Sequence, residues 1–315
     1  MAIGKTNAIT INGGGGSTAV LREYTSSATW TKPAGLKYAY VICIGAGSGG
    51  ASGRRGASDS NRCGGGGGAG AQTSKRMLKA EQLGVTESVV IPTGGAGGTS
   101  VTTDNTSGNA GGNGGSASFG TLVKTGTTVG GRAGGTNTFV SGGNGIGTGA
   151  IPNNLLNYRA GMDGVSGQAG SVSNQTNIIM KNNLPPCCGM GGAGISSSNA
   201  TGISGKIYDY LDVTGTTQTG ANGGQTTGAN GINGIDNAMT QLLYEYAEAI
   251  SLKGYGTGGT GGASGDAAGT IAGGNGGNGG LYGAGGGGGG GSTNGANSGA
   301  GGNGAGGLCI VLEIY

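Results

Sequence analysis

The strand-like run 37–44 leads into Gly45-Ala46-Gly47-Ser48-Gly49-Gly50. This is the G-x-G-x-x-G spacing with which a strand–turn–helix unit brings backbone amides to a pyrophosphate. Here the spacing carries little information. Glycine makes up 85 of the 315 residues, and at that frequency on the order of six such windows arise by chance. No helix-like segment follows, and where an acid would meet the ribose the chain has Gly64–Gly68. Gly261-Gly262-Ala263-Ser264-Gly265-Asp266 has the composition of a calcium-binding nonapeptide repeat, but the wrong spacing and a single occurrence. The 13 acids are scattered and offer no cluster of oxygen ligands. Asp209 and Asp212 are close in sequence, but nothing sets them across a cleft as glycoside hydrolysis requires, and they read as solvated loop acids.

Histidine is absent, which removes imidazole acid–base chemistry, Ser-His-Asp and Cys-His nucleophiles and the usual transition-metal sites. No cofactor is expected. The net charge of +3, with 9% charged residues, gives no field suited to nucleic acid. No run of 18 apolar residues exists to insert in a membrane. Arg54, Arg55, Arg62, Lys75, Arg76 and Lys79 form a locally basic stretch that could meet an anionic polysaccharide or lipid phosphate, and reads first as solvated surface. The start, Met1 to Lys5, has no apolar core of a secretory signal. Synthesis in a reducing compartment and five reduced, structural cysteines are therefore expected. Cys43 and Cys309 lie in apolar strands, and the adjacent Cys187 and Cys188 lack zinc-chelating spacing.

The elements that would position any site lie mainly at the two ends. Residues 19–24, 37–44 and 308–315 read as strands. Tyr38, Tyr40, Ile42 and Ile44 share one face of the second, and Leu308, Ile310, Leu312 and Ile314 one face of the third. With Ser88-Val89-Val90-Ile91 they are expected to pair in one sheet that joins the chain ends. Between them run glycine blocks, among them the three-residue period of Gly273-Gly274-Asn275-Gly276-Gly277-Asn278-Gly279-Gly280. Flexible linker is one reading of these blocks. The favoured one is polyglycine in the threefold polyproline II (PPII) conformation, packed laterally because backbones without Cβ approach closely. The expected fold class is therefore mainly β and irregular: a small β-sheet or sandwich bracketing a bundle of polyglycine-II helices. One short α-helix is expected near 237–253, capped by Asp236 and stopped by Gly254. The chain divides into an N-terminal arm, 1–21, and a glycine-rich domain, 22–315, with an insertion at about 148–256.

Two elements are more specific than the glycine blocks: Trp30-Thr31-Lys32-Pro33 after a strand, and Ser116-Ala117-Ser118-Phe119-Gly120 after a glycine block. Together with the order of blocks over roughly 22–147 and 254–315, they resemble the glycine-rich tip domain of tailed-bacteriophage tail fibres and related phage adhesins. The resemblance implies a non-enzymatic virion protein, assembled in the host cytoplasm, with polyglycine helices sandwiched with strands and variable loops at the end of the bundle. Its partners would be a bacterial surface receptor (an outer-membrane protein or glycan) and other fibre or tail subunits, with a homotrimer among the assemblies to test. A purely structural capsid-decoration or baseplate protein is the alternative.

Specificity is expected where side chains interrupt the glycine. Tyr158, Arg159, Tyr208, Asp209 and Tyr210 are the receptor-contact candidates, with Tyr and Arg types suited to binding loops. The alternative is that these tyrosines pack a small core of the insertion, since Tyr208 and Tyr210 share a face at strand spacing. Ile3, Ile9 and Ile11, ahead of Gly13–Gly16, are the virion-docking candidates, by strand addition.

Overall fold

The computed structural model describes residues 9–12, 18–145, 157–159, 161–172, 188–205, 210–211, 217–218, 224, 226–236 and 255–315. It is mainly β and irregular, built on small antiparallel sheets. The strands are β1 (Ile9–Asn12), β2 (Thr18–Tyr24), β3 (Ala28–Thr31), β4 (Tyr38–Ile44), β5 (Arg55–Gly56), β6 (Thr73–Lys79), β7 (Thr86–Val90) and β8 (Ser118–Phe119). There follow β9 (Val123–Lys124), β10 (Phe139–Val140), β11 (Asn157–Arg159), β12 (Gly167–Gln168), β13 (Tyr210–Leu211), β14 (Thr217–Gln218), β15 (Ser292–Thr293) and β16 (Leu308–Ile314). A six-stranded sheet has the order β1-β2-β16-β4-β6-β11, and a four-stranded sheet the order β3-β7-β8-β9. The C-terminal strand lies between β2 and β4, and the three strands share one sheet as expected. The only helix among the described residues is a 3₁₀ turn, Ala80–Gln82. The expected helix at 237–253 lies outside the described residues; Asp236, expected to cap it, accepts the Leu281 N–H at 2.7 Å.

The expectation of one sheet is corrected: residues 88–90 lie in β7, in the second sheet. A sheet as apolar as β4 and β16 must be covered on both faces. On one side Ala39, Val41, Cys43, Cys309 and Val311 meet Trp30, Val89 and Phe119 of the second sheet. On the other Tyr40, Ile42, Ile44, Leu308, Ile310 and Leu312 cluster with Tyr255 and Tyr282. Trp30 and Phe119 pack edge-to-face, with centroids 5.3 Å apart, a geometry worth about 1 kcal/mol beyond burial. The Trp30 Nε1–H donates to the fully buried Glu313 at 2.8 Å, which also receives Arg22 Nε at 2.6 Å and the Tyr315 hydroxyl at 3.0 Å. Lys32 Nζ reaches the Leu83 carbonyl at 2.9 Å. The Trp-Thr-Lys-Pro element therefore fastens one sheet to the other.

Both sheets run on into the glycine blocks without change of register. Ile44 opposes Thr73 in the β4–β6 pair. Beyond it, Gly45 N–H bonds Gln72 O, Ser48 bonds Ala69, Ala51 bonds Gly66 and Arg54 bonds Cys63, at 2.9–3.0 Å. Leu308 opposes Ile44, and Gly47, Gly50 and Gly53 continue that pairing to Ala305, Gly302 and Gly299. In the second sheet Ser118 opposes Lys124; Gly114, Gly111 and Gly108 then bond Thr128, Gly131 and Gly134. Only every third residue bonds a given neighbour, because successive amides point in three directions. The run 45–54 therefore has a third antiparallel neighbour: Ala46, Gly49 and Ser52 donate to Gly115, Gly112 and Asn109. Its carbonyls accept from three parallel ones, through Gly95 and Gly98, Gly131 and Gly134, and Gly286 and Gly289.

At many of its glycines that lattice leaves no room for a Cβ, although Ala46, Ser48, Ala51 and Ser52 of the run 45–54 are themselves buried in it. A Cβ on Gly50 would lie 2.0 Å from the Gly287 carbonyl oxygen. At the outer layer, where one of the three directions lacks a lattice neighbour, asparagine replaces the missing carbonyl. Asn230 and Asn233 accept from Asn275 N–H and Asn278 N–H, which pass the pattern to Ala300 and Asn303, and Asn303 to Gly97, at 2.8–2.9 Å. The Gly-Gly-Asn period is thus two inward positions and one outward.

The division expected at residue 21 falls within β2. Ile9 and Ile11 lie in β1, which pairs with β2 as an edge of the sheet, while Ile3 lies outside the described residues. Gly277 is buried, and a Cβ there would sit 2.1 Å from Ile232 O. Gly277→Val should lower stability by about 3 kcal/mol. Gly135→Ala, with nothing within 4 Å of its Cβ, should change it by less than about 0.5 kcal/mol. Thermal melts of the two variants check the contrast.

Candidate functional site

Because consecutive runs reverse direction and the sheets fill one end of the lattice, the chain returns at the other end through 56–61, 99–107, 136–140, 196–201, 226–228, 266–271 and 293–298. These distal returns are rich in polar side chains. The sequence puts Ser, Thr, Asn and Asp there, residues that satisfy turn backbones with their own side chains. Asn105 (φ 56°) and Asn199 (φ 64°) take the left-handed conformation that Asn tolerates better than other side-chain-bearing residues.

Two buried arginines tie the returns together. Arg62 Nη1 donates to Thr293 Oγ1 at 2.9 Å, and Nη2 to Ser196 O and Asn199 Oδ1 at 2.7 Å each. Thr293 Oγ1 in turn donates to Asp266 O at 2.8 Å. Burial of the guanidinium holds its pKa below the ordinary value, with Asp59 opposing, and Arg62 Nε has no hydrogen-bond partner among the described residues. Arg55 Nε meets Asp104 Oδ1 at 2.6 Å, and its Nη1 meets Thr102 O at 2.8 Å and Asn297 Oδ1 at 3.1 Å. The Asp104 carboxyl lies below the usual carboxylate range, through the Gly295 N–H and then Arg55. Asp266 is also lowered: slight burial raises it, but Thr270 and Ile271 donors together outweigh that. Asn105 and Asn294 exchange two bonds, each of 3.0 Å.

The basic stretch read as solvated surface is therefore split. Arg55 and Arg62 are buried at the distal end, because each guanidinium satisfies several carbonyls of adjoining turns, while Lys75, Arg76 and Lys79 lie on β6 at the sheet end. Cys43, Cys63, Cys188 and Cys309 are buried free thiols. Burial pushes Cys63 up to about 12, and Cys187 lies outside the described residues.

The receptor-contact candidates fall elsewhere. Tyr158 and Arg159 lie in β11, opposite Ser74 and Thr73, on the edge of the six-stranded sheet, at the end opposite the distal returns. Tyr210 lies in β13, paired with β14; Tyr208 and Asp209 lie outside the described residues. Among the distal returns, 136–141 borders an open groove of about 730 Å³ lined by Asn61, Arg132, Thr136, Asn137, Phe139 and Ser141 among others. Phe139 is 61% exposed. It is one of two phenylalanines in the chain, set between two glycine blocks, and that was the signal available in the sequence.

Two outcomes are expected of the distal end. Arg62→Met should leave turn carbonyls unpaired, lowering stability by about 3 kcal/mol and raising hydrogen exchange in 196–201 and 293–298 before the sheets are affected. Asp104 ionises more readily folded than unfolded, so its contribution is complete above its ordinary value of 3.8 and is lost as pH falls through the lower folded value. Exchange at the Gly295 amide should therefore rise on acidification below that range, and in Asp104→Asn this pH dependence should disappear. Neither a protein-family model nor a curated protein matches the chain.

Proposed function

We propose that this chain is the receptor-binding tip of a bacteriophage tail fibre: a non-enzymatic virion protein whose glycine runs are polyglycine-II helices that hold recognition loops at one end. The observation that carries this reading is the cross-tied set of polar returns at the distal end of the lattice. A rigid scaffold with ordered, polar, side-chain-rich loops confined to one end suits a recognition surface. The helix assignment is supported by the three-residue hydrogen-bond period. It is consistent with the small number of positive-φ glycines, Gly35, Gly120, Gly170, Gly228, Gly269, Gly283 and Gly295, since PPII has negative φ. At about 3.1 Å per residue, the run 45–54 would hold the loops about 30 Å from the sheets. The bacterial partner would meet the distal end. The fibre would meet the sheet end, where β1, carrying Ile9 and Ile11, is the edge strand among the described residues and would accept strand addition.

Competition for adsorption of the phage that carries the protein tests this reading. The purified chain should block adsorption. Thr103→Arg, Ser198→Arg and Ala268→Arg, each at an exposed distal position, should together weaken the block by about tenfold or more with little change in melting temperature. Glu81→Lys, exposed at the sheet end, should block like the unsubstituted chain. A chain that does not compete, or distal variants that compete fully, would favour a purely structural virion component instead.

A further inference from the structure

The groove beside Phe139 differs from the rest of the distal surface. The other arginines and asparagines singled out at the distal end are bonded to neighbouring returns: Arg55 to Asp104, Arg62 to Thr293 and Asn199, Asn294 to Asn105. Arg132 is exposed, and its guanidinium makes no hydrogen bond or ion pair with a described residue. Thr136 and Asn137 are likewise exposed, without side-chain bonds to the described residues. Asn61 Oδ1 is taken by the Ser197 N–H at 2.9 Å, so what Asn61 can still offer is its NH₂ donor pair.

The backbone beneath these groups is fixed. Arg132 N–H bonds Ser141 O at 3.2 Å, Ala169 N–H bonds Thr138 O at 2.8 Å and Cys63 N–H bonds Gly135 O at 3.2 Å. Phe139 pairs with Gln168 across β10 and β12. The groove is therefore preformed, and a ligand would not have to order it. Its volume of about 730 Å³ falls within the usual span of small-ligand sites, about 300–1,000 Å³.

Its chemistry selects the ligand. The lining holds one apolar ring, hydroxyls, amide donors and an unpaired guanidinium, and no acidic side chain. A ligand must then present a flat apolar face to Phe139, acceptors to the rim, and an anion to Arg132, whose planar fork matches a carboxylate. A pyranose carrying a carboxylate has all three: axial C–H bonds on one face, hydroxyls around the edge and the charge at its rim. A neutral sugar leaves Arg132 unused. We propose that this groove binds an acidic saccharide, with a sugar face stacked on Phe139 and its carboxylate held by Arg132. This rests on the receptor-binding reading and names the part of the bacterial surface that would be recognised.

The test uses the full chain, with calorimetry and saturation-transfer NMR on four probes: trigalacturonate, its methyl ester, inorganic phosphate and a Glu-rich hexapeptide. Trigalacturonate is expected to bind, and its ester about tenfold more weakly. Arg132→Gln should erase that difference, and Phe139→Ala should abolish binding of both saccharides. Both side chains are exposed, so melting temperatures should hold. Affinity for trigalacturonate should fall as salt is raised from about 50 to about 500 mM. Saccharide binding that is absent, or equal in both variants and the unsubstituted chain, overturns the proposal. So does binding of the peptide or of phosphate alone. Adsorption separates this from the reading beneath it. If the distal arginine variants lose competition while Phe139→Ala retains it and no saccharide binds, the saccharide site falls and the receptor-binding tip stands. If saccharide binds through Phe139 but the chain does not compete for adsorption, the tip reading falls instead.

Discussion

The lateral backbone hydrogen bond between glycine runs is the constraint on which the rest of this structure depends. Ordering a residue costs roughly 1–2 kcal/mol and glycine is the worst case, while a hydrogen bond returns a net of about 1 kcal/mol. One glycine run alone would stay unfolded. Run 45–54 is ordered because its amides and carbonyls are satisfied by neighbours on all sides, and those neighbours by others. Order of this kind is cooperative. The sheets start it: their side chains fix the register at Ile44–Thr73 and Ser118–Lys124, and the glycine runs inherit it residue by residue.

The same constraint decides where chemistry can sit. A lattice that would place a Cβ on Gly50 at 2.0 Å from a carbonyl oxygen admits mainly small interior side chains, such as Ala46, Ser48, Ala51 and Ser52. On its outer layer, Asn233, Asn278 and Asn303 are spent on amides of the adjacent run. What remains is the ends. At one, Glu313 joins the sheets through Arg22 and Trp30; at the other, Arg55 and Arg62 bind the returns into one surface. Among the described residues there, Arg132 and Phe139 are exposed side chains beside a groove, the ones the proposed saccharide site uses.

The parts of this fold legible in the sequence are those that side chains specify. The alternation in 38–44 and 308–314 marks two strands that pair in one sheet as expected, while the cover on their second face comes from side chains distant in sequence. The second sheet was less legible, because β8 and β9 are two residues each and Trp30 and Phe119 declare a core only once they meet. Register through the glycine runs could not be read at all, since glycine carries no side chain to mark a face. At the distal end, charge misled: arginines read as solvated are the buried ties. Tyr158 drew attention as a tyrosine in a loop-like stretch, yet it occupies an edge strand. Phe139 is only weakly marked, because one aromatic between glycine blocks has no periodic pattern around it.

Native-state hydrogen exchange on chain labelled with ¹⁵N-glycine tests the central claim most directly. If the glycine runs are a backbone lattice continuous with the sheets, the amides of Gly50, Gly66 and Gly287 should be protected to the same degree as those of Val41 and Ile42 in β4. They should open together with them rather than separately. Exchange at these glycines at the rate of an unstructured chain, with β4 still protected, would contradict it.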